Sequence, residues 1–107
     1  MKTNLTVIAY IFAKPGEEQR VRAALLGLVE ETRKEKGCIN YDLHESEDNP
    51  AHFVMYENWR SAADLEEHAR SAHLRDFGKN MGPFLERPTE ITKWNMVSDL
   101  ENAALNA

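Results

Sequence analysis

The sequence has one cysteine, Cys38, among 107 residues. It can therefore close no intramolecular disulfide and build no zinc site from several thiolates. Positive charge is also scarce. Thirteen Lys and Arg against eighteen Asp and Glu leave a net charge of −5. That balance excludes the basic footprint of a nucleic-acid binder and the Lys/Arg cluster that an anionic membrane attracts. No apolar run approaches the roughly 18 residues of a membrane span. The longest, Leu5–Phe12, is interrupted by Thr6 and Tyr10 and is not followed by a small-residue cleavage site, so no secretory leader is expected. A cytoplasmic location is the expectation. No Gly-rich phosphate loop is present, which speaks against a nucleotide cofactor.

What remains is ordinary globular composition, 42% hydrophobic and 29% charged, and a length that fits one domain over residues 1–107. Leu5–Ala13 is rich in Val, Ile and aromatics and stops at Lys14-Pro15-Gly16, a strand ended by a breaker. Its two faces, Val7/Ala9/Ile11 and Ile8/Tyr10/Phe12, are both apolar, so something must pack on each side of its sheet. Pro15 to Lys36 reads as a helix with Val21, Ala24, Leu25, Leu28 and Thr32 on one stripe and Gly37 as its C-terminal cap. Cys38–Glu45 alternates, with Ile39, Tyr41 and Leu43 on one face. The turn Ser46–Pro50 joins it to a third strand, Ala51–Trp59.

Ser61 is an N-cap for a second helix that buries Ala62, Leu65, Ala69 and Ala72. Leu74, Phe77, Met81 and Leu85 form another stripe. Leu74 would lie about 180° from Leu65 on one straight helix, so a break is expected near Ser71. Gly82-Pro83 ends the second piece, Arg87–Val97 reads as the last strand, and 98–107 is a polar, Ala-rich tail, read as a frayed helix, outside the core at 5–97.

The order β-α-β-β-α-β predicts an α+β, ferredoxin-like fold: a four-stranded antiparallel sheet with both helices on one face. The other face keeps apolar side chains from the first and third strands. Leaving that area wet costs about 25 cal/mol per Å², so a second copy packed sheet on sheet is expected to cover it.

The stretch Tyr56-Glu57-Asn58-Trp59-Arg60-Ser61-Ala62-Ala63-Asp64-Leu65-Glu66-Glu67-His68, followed by Ser71-Ala72-His73-Leu74, resembles the antibiotic biosynthesis monooxygenase domain. Lys14-Pro15-Gly16-Glu17 and Glu35-Lys36-Gly37-Cys38-Ile39-Asn40-Tyr41-Asp42 are similar to that family's entry into the first helix and turn into the second strand. The resemblance spans roughly residues 5 to 97. It implies a homodimeric α+β barrel and oxygenation of a quinol or phenolic substrate by molecular oxygen without flavin, haem or metal. Similar domains also include haem-degrading enzymes and a small-molecule isomerase, so an isomerase or a non-catalytic ligand-binding module on the same barrel is the alternative. Ala9, His68 and Gly78 stand where the haem-degrading branch has Asn, Trp and His, which removes the main support for haem.

Cofactor-free oxygenation asks for a dry pocket, a base and a few polar groups. His68 is the candidate base, about 60° from Leu65 at the edge of the buried helical face, with a reference pKa near 6.5. The competing role is a partly buried imidazole that caps the broken helix. His73, one turn before Phe77, is a candidate for the same gap. Trp59, Tyr41, Tyr56, Phe77 and Met81 are candidate pocket walls, though each is first a core residue. Glu57 shares the face of Trp59 and is not read as catalytic. His68 and His73 are five apart across the expected break and lack the i, i+4 spacing of a helical metal pair, so no metal is expected. His44 and His52 flank the hairpin turn and face each other only in one register. Cys38 lacks the setting of a nucleophile.

Overall fold

A computed structural model of the chain describes residues 5–98. The elements run β1 (Leu5–Phe12), α1 (Glu18–Thr32), β2 (Cys38–Glu45), β3 (His52–Trp59), α2 (Ala62–Ala69), α3 (Ala72–Met81), a short 3-10 turn (Gly82–Phe84) and β4 (Glu90–Trp94). The sheet is four-stranded and antiparallel in the order β2-β3-β1-β4. This is the α+β, ferredoxin-like arrangement expected from the element order.

Register decides which side chains meet the helices. Val7, Ala9 and Ile11 of β1 pair with Glu57, Met55 and Phe53 of β3. All of these are buried, together with Val21, Leu25, Leu28 and Val29 of α1. Trp59, Phe53 and Leu25 are the bulkiest fully buried side chains. The opposite face carries Ile8, Tyr10, Phe12, Val54 and Tyr56, which are half-buried or exposed.

Four local expectations are corrected. First, α1 begins at Glu18, not Pro15, because Gly16 takes φ 87°, a left-handed turn that no helix accommodates. Secondly, α1 ends at Thr32, with Arg33 at its C-cap. Gly37 serves instead as a point of close approach, where any Cβ would run into the side chain of Asp64.

Thirdly, β2 has a bulge. Cys38 pairs with Trp59 and Asn40 with Asn58, which leaves Ile39 as the extra residue. Strict alternation places Ile39 beside Tyr41; the bulge turns it out, where it is exposed. Fourthly, β4 covers five residues rather than the expected Arg87–Val97. Except for Ser98, the expected tail lies outside the described residues.

The expected break is present. Ser71 N-caps α3 by accepting from the Leu74 N–H at 3.3 Å and donates to the His68 carbonyl at 2.7 Å. It thereby stitches the end of α2 to the start of α3.

Candidate active site

A cavity of about 450 Å³ lies between the helices and the sheet. Its walls are largely apolar, from Val7, Ala9 and Ile11 on the sheet to Leu25, Leu28, Leu65, Leu74 and Phe77 on the helices. The titratable groups on it are Tyr41, Glu57, Glu66, His68 and Lys93. A separate groove of about 420 Å³ is lined by Glu35, Asp64, Arg70 and His73 among others. His68 and His73 therefore line different spaces.

Ser61 starts α2 by accepting from the Asp64 N–H at 3.1 Å, and the helix carries His68 inward until it is 4% exposed. The imidazole packs against Trp59 with ring centres 4.6 Å apart and planes tilted by 35°, and meets Tyr41 edge-on at 5.4 Å. Its Nδ1 lies 2.7 Å from Oε2 of Glu35, and His73 Nε2 lies 2.6 Å from the same oxygen. An ionised carboxylate only accepts, so both ring nitrogens donate to it. A neutral imidazole has one N–H. With that proton on Nδ1, the lone pair of His68 is on Nε2, the geometry of a base oriented by a carboxylate. Burial holds the imidazole below its ordinary pKa. The bond to Glu35 and its charge pull the other way, and His73 adds to the depression. His68 is thus neutral at pH 7, and a proton gained at Nε2 would leave an imidazolium compensated by Glu35.

Glu57 is the second buried ionisable group, 3% exposed. β3 places it opposite Val7 of β1 and Tyr41 of β2. Its Oε1 accepts the indole N–H of Trp59 at 2.9 Å. Burial pushes its pKa from 4.5 up to about 7, partly opposed by the Trp59 bond and reinforced by the charge of Glu35. Burial likewise raises the Tyr41 phenol, and it pushes the Cys38 thiol to about 11, so Cys38 is no thiolate at neutral pH.

Tyr41, Phe77 and His68 line the cavity. Trp59 is fully buried behind His68 and Glu57. Trp59 thus does not line this cavity, and neither do two other expected wall residues. Tyr56 pairs with Ile8 and Asp42 on the opposite face, because alternation along β3 turns it away from Glu57. Met81 lies in a shallower groove between α1 and α3, with Ala24 and Asn80.

The break at Ser71 does not hold His68 and His73 apart. It swings α3 so that their rings stand 6.1 Å apart. Among the described residues, Glu35, His68 and His73 form the group whose ligand atoms are close enough to share a metal ion, but the 2.6 and 2.7 Å separations are hydrogen-bond lengths. The hairpin register pairs His44 with Val54, so it does not oppose His52; His52 stacks on Phe12 at 4.3 Å.

Sequence reasoning missed Glu35. It lies in the turns after α1, where no periodicity marks a residue. Its partners are 33 and 38 positions away. The available signal was its place in the quoted Glu35-Lys36-Gly37-Cys38 stretch.

The family model for antibiotic biosynthesis monooxygenases matches residues 4–80. The chain belongs to the antibiotic biosynthesis monooxygenase family. Within it, a Mycobacterium tuberculosis protein named "Putative monooxygenase Rv0793" is 36% identical over 92 residues, covering 86% of this chain and 90% of that one. An Escherichia coli protein named "Probable quinol monooxygenase YgiN" is 32% identical over 98 residues, covering 81% and 94%. The crystal structure of PA3566 from Pseudomonas aeruginosa superposes with a TM-score of 0.86 at 35% identity, covering 92% and 98%. In this member of the antibiotic biosynthesis monooxygenase family, the matched residues contain Glu35, Glu57, His68 and His73, whereas Lys93 of the cavity lies beyond them.

Proposed function

We propose that this chain is a monooxygenase that oxidises a quinol or related phenolic with molecular oxygen, without a bound cofactor, and that His68 is its base. The observation that carries the reading is His68 itself. It is a buried neutral imidazole, fixed at Nδ1 by Glu35, with Nε2 left for the apolar cavity. Family membership and the name of the E. coli relative support the reaction class.

Molecular oxygen reacts slowly with closed-shell molecules, and a quinolate is far more reducing than a quinol. Taking the phenolic proton at His68 Nε2 is therefore the step the protein must assist. The apolar walls keep the resulting anion away from bulk water, where proton return would be fast. A quinol plus O₂ giving a hydroxyquinone plus water balances atoms and electrons with the substrate as the only reductant. An α-helical wall and a sheet wall about an aromatic ring suit a flat substrate, and the cavity volume lies in the ordinary range for small-molecule sites.

The test is oxygen uptake with 1,4-naphthoquinols. Wild type is expected to exceed the buffer rate, and His68→Ala is expected to lose about 10² to 10⁴ of kcat. Equal rates for the two proteins would remove His68 from the chemistry. Turnover that persists under nitrogen would place the chain with the isomerases instead.

A further inference from the structure

Glu57 is a buried carboxyl group that base chemistry at His68 leaves unused. It lines the same cavity as His68, and the two groups flank Trp59: the indole N–H donates to Glu57 Oε1 at 2.9 Å, and the indole ring packs at a tilt against His68, centres 4.6 Å apart. Among the described residues no protein group bonds the second carboxyl oxygen, Oε2. A carboxyl group with one oxygen committed as acceptor and one oxygen free is built to present a single donor when protonated. Oε2 is not among the fully buried unpartnered atoms, and Glu57 lines the cavity, so this oxygen is within reach of a molecule bound there.

We propose that Glu57, as a neutral carboxylic acid, donates a hydrogen bond from Oε2 to a second oxygen of the substrate, making this cavity selective for dioxygenated aromatic rings over simple phenols. The inference rests on the quinol reading of the same cavity and deepens it. His68 takes the proton from one oxygen; Glu57 holds the other. The acid form is the one that burial favours near neutral pH. Charged and titratable groups share this cavity with Glu57 or interact with it through their charge. They are Tyr41 and Cys38 on β2, Glu35 in the turn before β2, His68 and Glu66 on α2, and Lys93 on β4. β1 contributes only Leu5, Val7, Ala9 and Ile11 to this space, α1 only Leu25 and Leu28. Tyr41 and Lys93 also carry donors on this cavity, so it is the response of the Glu57 variants, not binding alone, that assigns the contact.

The experiment is calorimetric titration of the whole chain, under nitrogen, with 2,3-dimethyl-1,4-naphthoquinone, whose substituted ring does not add thiols. Wild type is expected to bind about tenfold more weakly at pH 8.5 than at pH 6, as Glu57 loses its proton. Glu57→Gln keeps an acceptor for Trp59 and a non-titrating donor, so its Kd is expected to vary less than threefold over the same range. Glu57→Met, which has no donor, is expected to bind weakly at both pH values. A wild-type Kd that does not change with pH, no measurable binding at either pH, or an unchanged slope in Glu57→Gln would each overturn the proposal. Binding needs no turnover, so the two readings fail separately. A pH slope without oxygen uptake sinks only the monooxygenase reading; oxygen uptake without the slope sinks only the role of Glu57.

Discussion

Glu35 receives two imidazoles on a single oxygen, and this fixes how His68 behaves. His68 is pulled down in pKa by burial and up by Glu35. Activity that needs a free Nε2 lone pair falls as pH drops and the ring protonates. Replacing Glu35 by Gln removes the charge that favours imidazolium, so the acidic limb of the kcat profile is expected to move to lower pH. The rate on the plateau is expected to fall about 10- to 100-fold, since the nascent imidazolium loses its counter-charge. KM is expected to change little, because Glu35 lines the outer groove rather than the substrate cavity. A profile identical to wild type would show that Glu35 is only a structural tie.

Glu57 supplies a residue-scale test that needs no substrate. Its folded pKa is raised from 4.5 to about 7, so between those values the native state holds a proton that the unfolded state has lost. Stability from this group is therefore greatest at low pH and declines as pH rises through the window. Glu57→Gln removes the titration and keeps the bond to Trp59. The variant is expected to gain on wild type by up to about 3 kcal/mol at pH 8, with the gain shrinking towards zero at pH 5. Urea unfolding of both proteins at the two pH values checks it; a difference independent of pH would show that Glu57 is ionised in the fold at both.

At the scale of elements, the turn after α1 and the start of α2 lock the site together. Gly37 passes so close to Asp64 that a methyl group would collide with it, and Asp64 is engaged with the cap residue Ser61. The Gly37 carbonyl also accepts from the Arg60 N–H at 2.9 Å. Gly37→Ala is expected to push α2 away from the Glu35 turn and cost about 1 to 3 kcal/mol by overpacking. A melting temperature within a degree or two of wild type would contradict that. The same region shows what a sequence discloses. The opposed phases of Leu65 and Leu74, with Ser71 between them, make the α2–α3 break legible, because a straight helix cannot bury both stripes. The β2 bulge is invisible, since period-two reasoning assumes that no residue is skipped, and Ile39 looks as good a core residue as Tyr41. The His68 half of the site is legible from helical phase. The Glu35 half is not, since a loop residue's partners are set by tertiary packing alone.

For the molecule as a whole, the unpartnered face of the sheet asks for cover. Ile8, Tyr10, Phe12, Val54 and Tyr56 lie on it, Tyr56 is 38% exposed, and Trp94 at the end of β4 is 51% exposed. A chain of polar groups on this face is internally bonded, although Nε2 of His52 has no partner among the described residues. Thr6 donates to Asn58 at 2.6 Å, Asn58 to Asn40 at 2.9 Å, and Asn40 to Asp42 at 3.1 Å. A second sheet could therefore lie over them without orphaning a donor. We propose that the chain is a homodimer through this face, in keeping with the roughly 800 Å² per partner of a stable interface. Light scattering at micromolar concentration is expected to give about twice the chain mass of 12.3 kDa. Tyr56→Glu places a charge on the outward side of β3, away from the helix-side core, so it is expected to give monomers with an unchanged circular dichroism spectrum. A monomeric wild type would leave the apolar face without its proposed partner. A dimeric Tyr56→Glu would move the interface elsewhere, since an unpaired carboxylate buried in an apolar seam between two copies is costly.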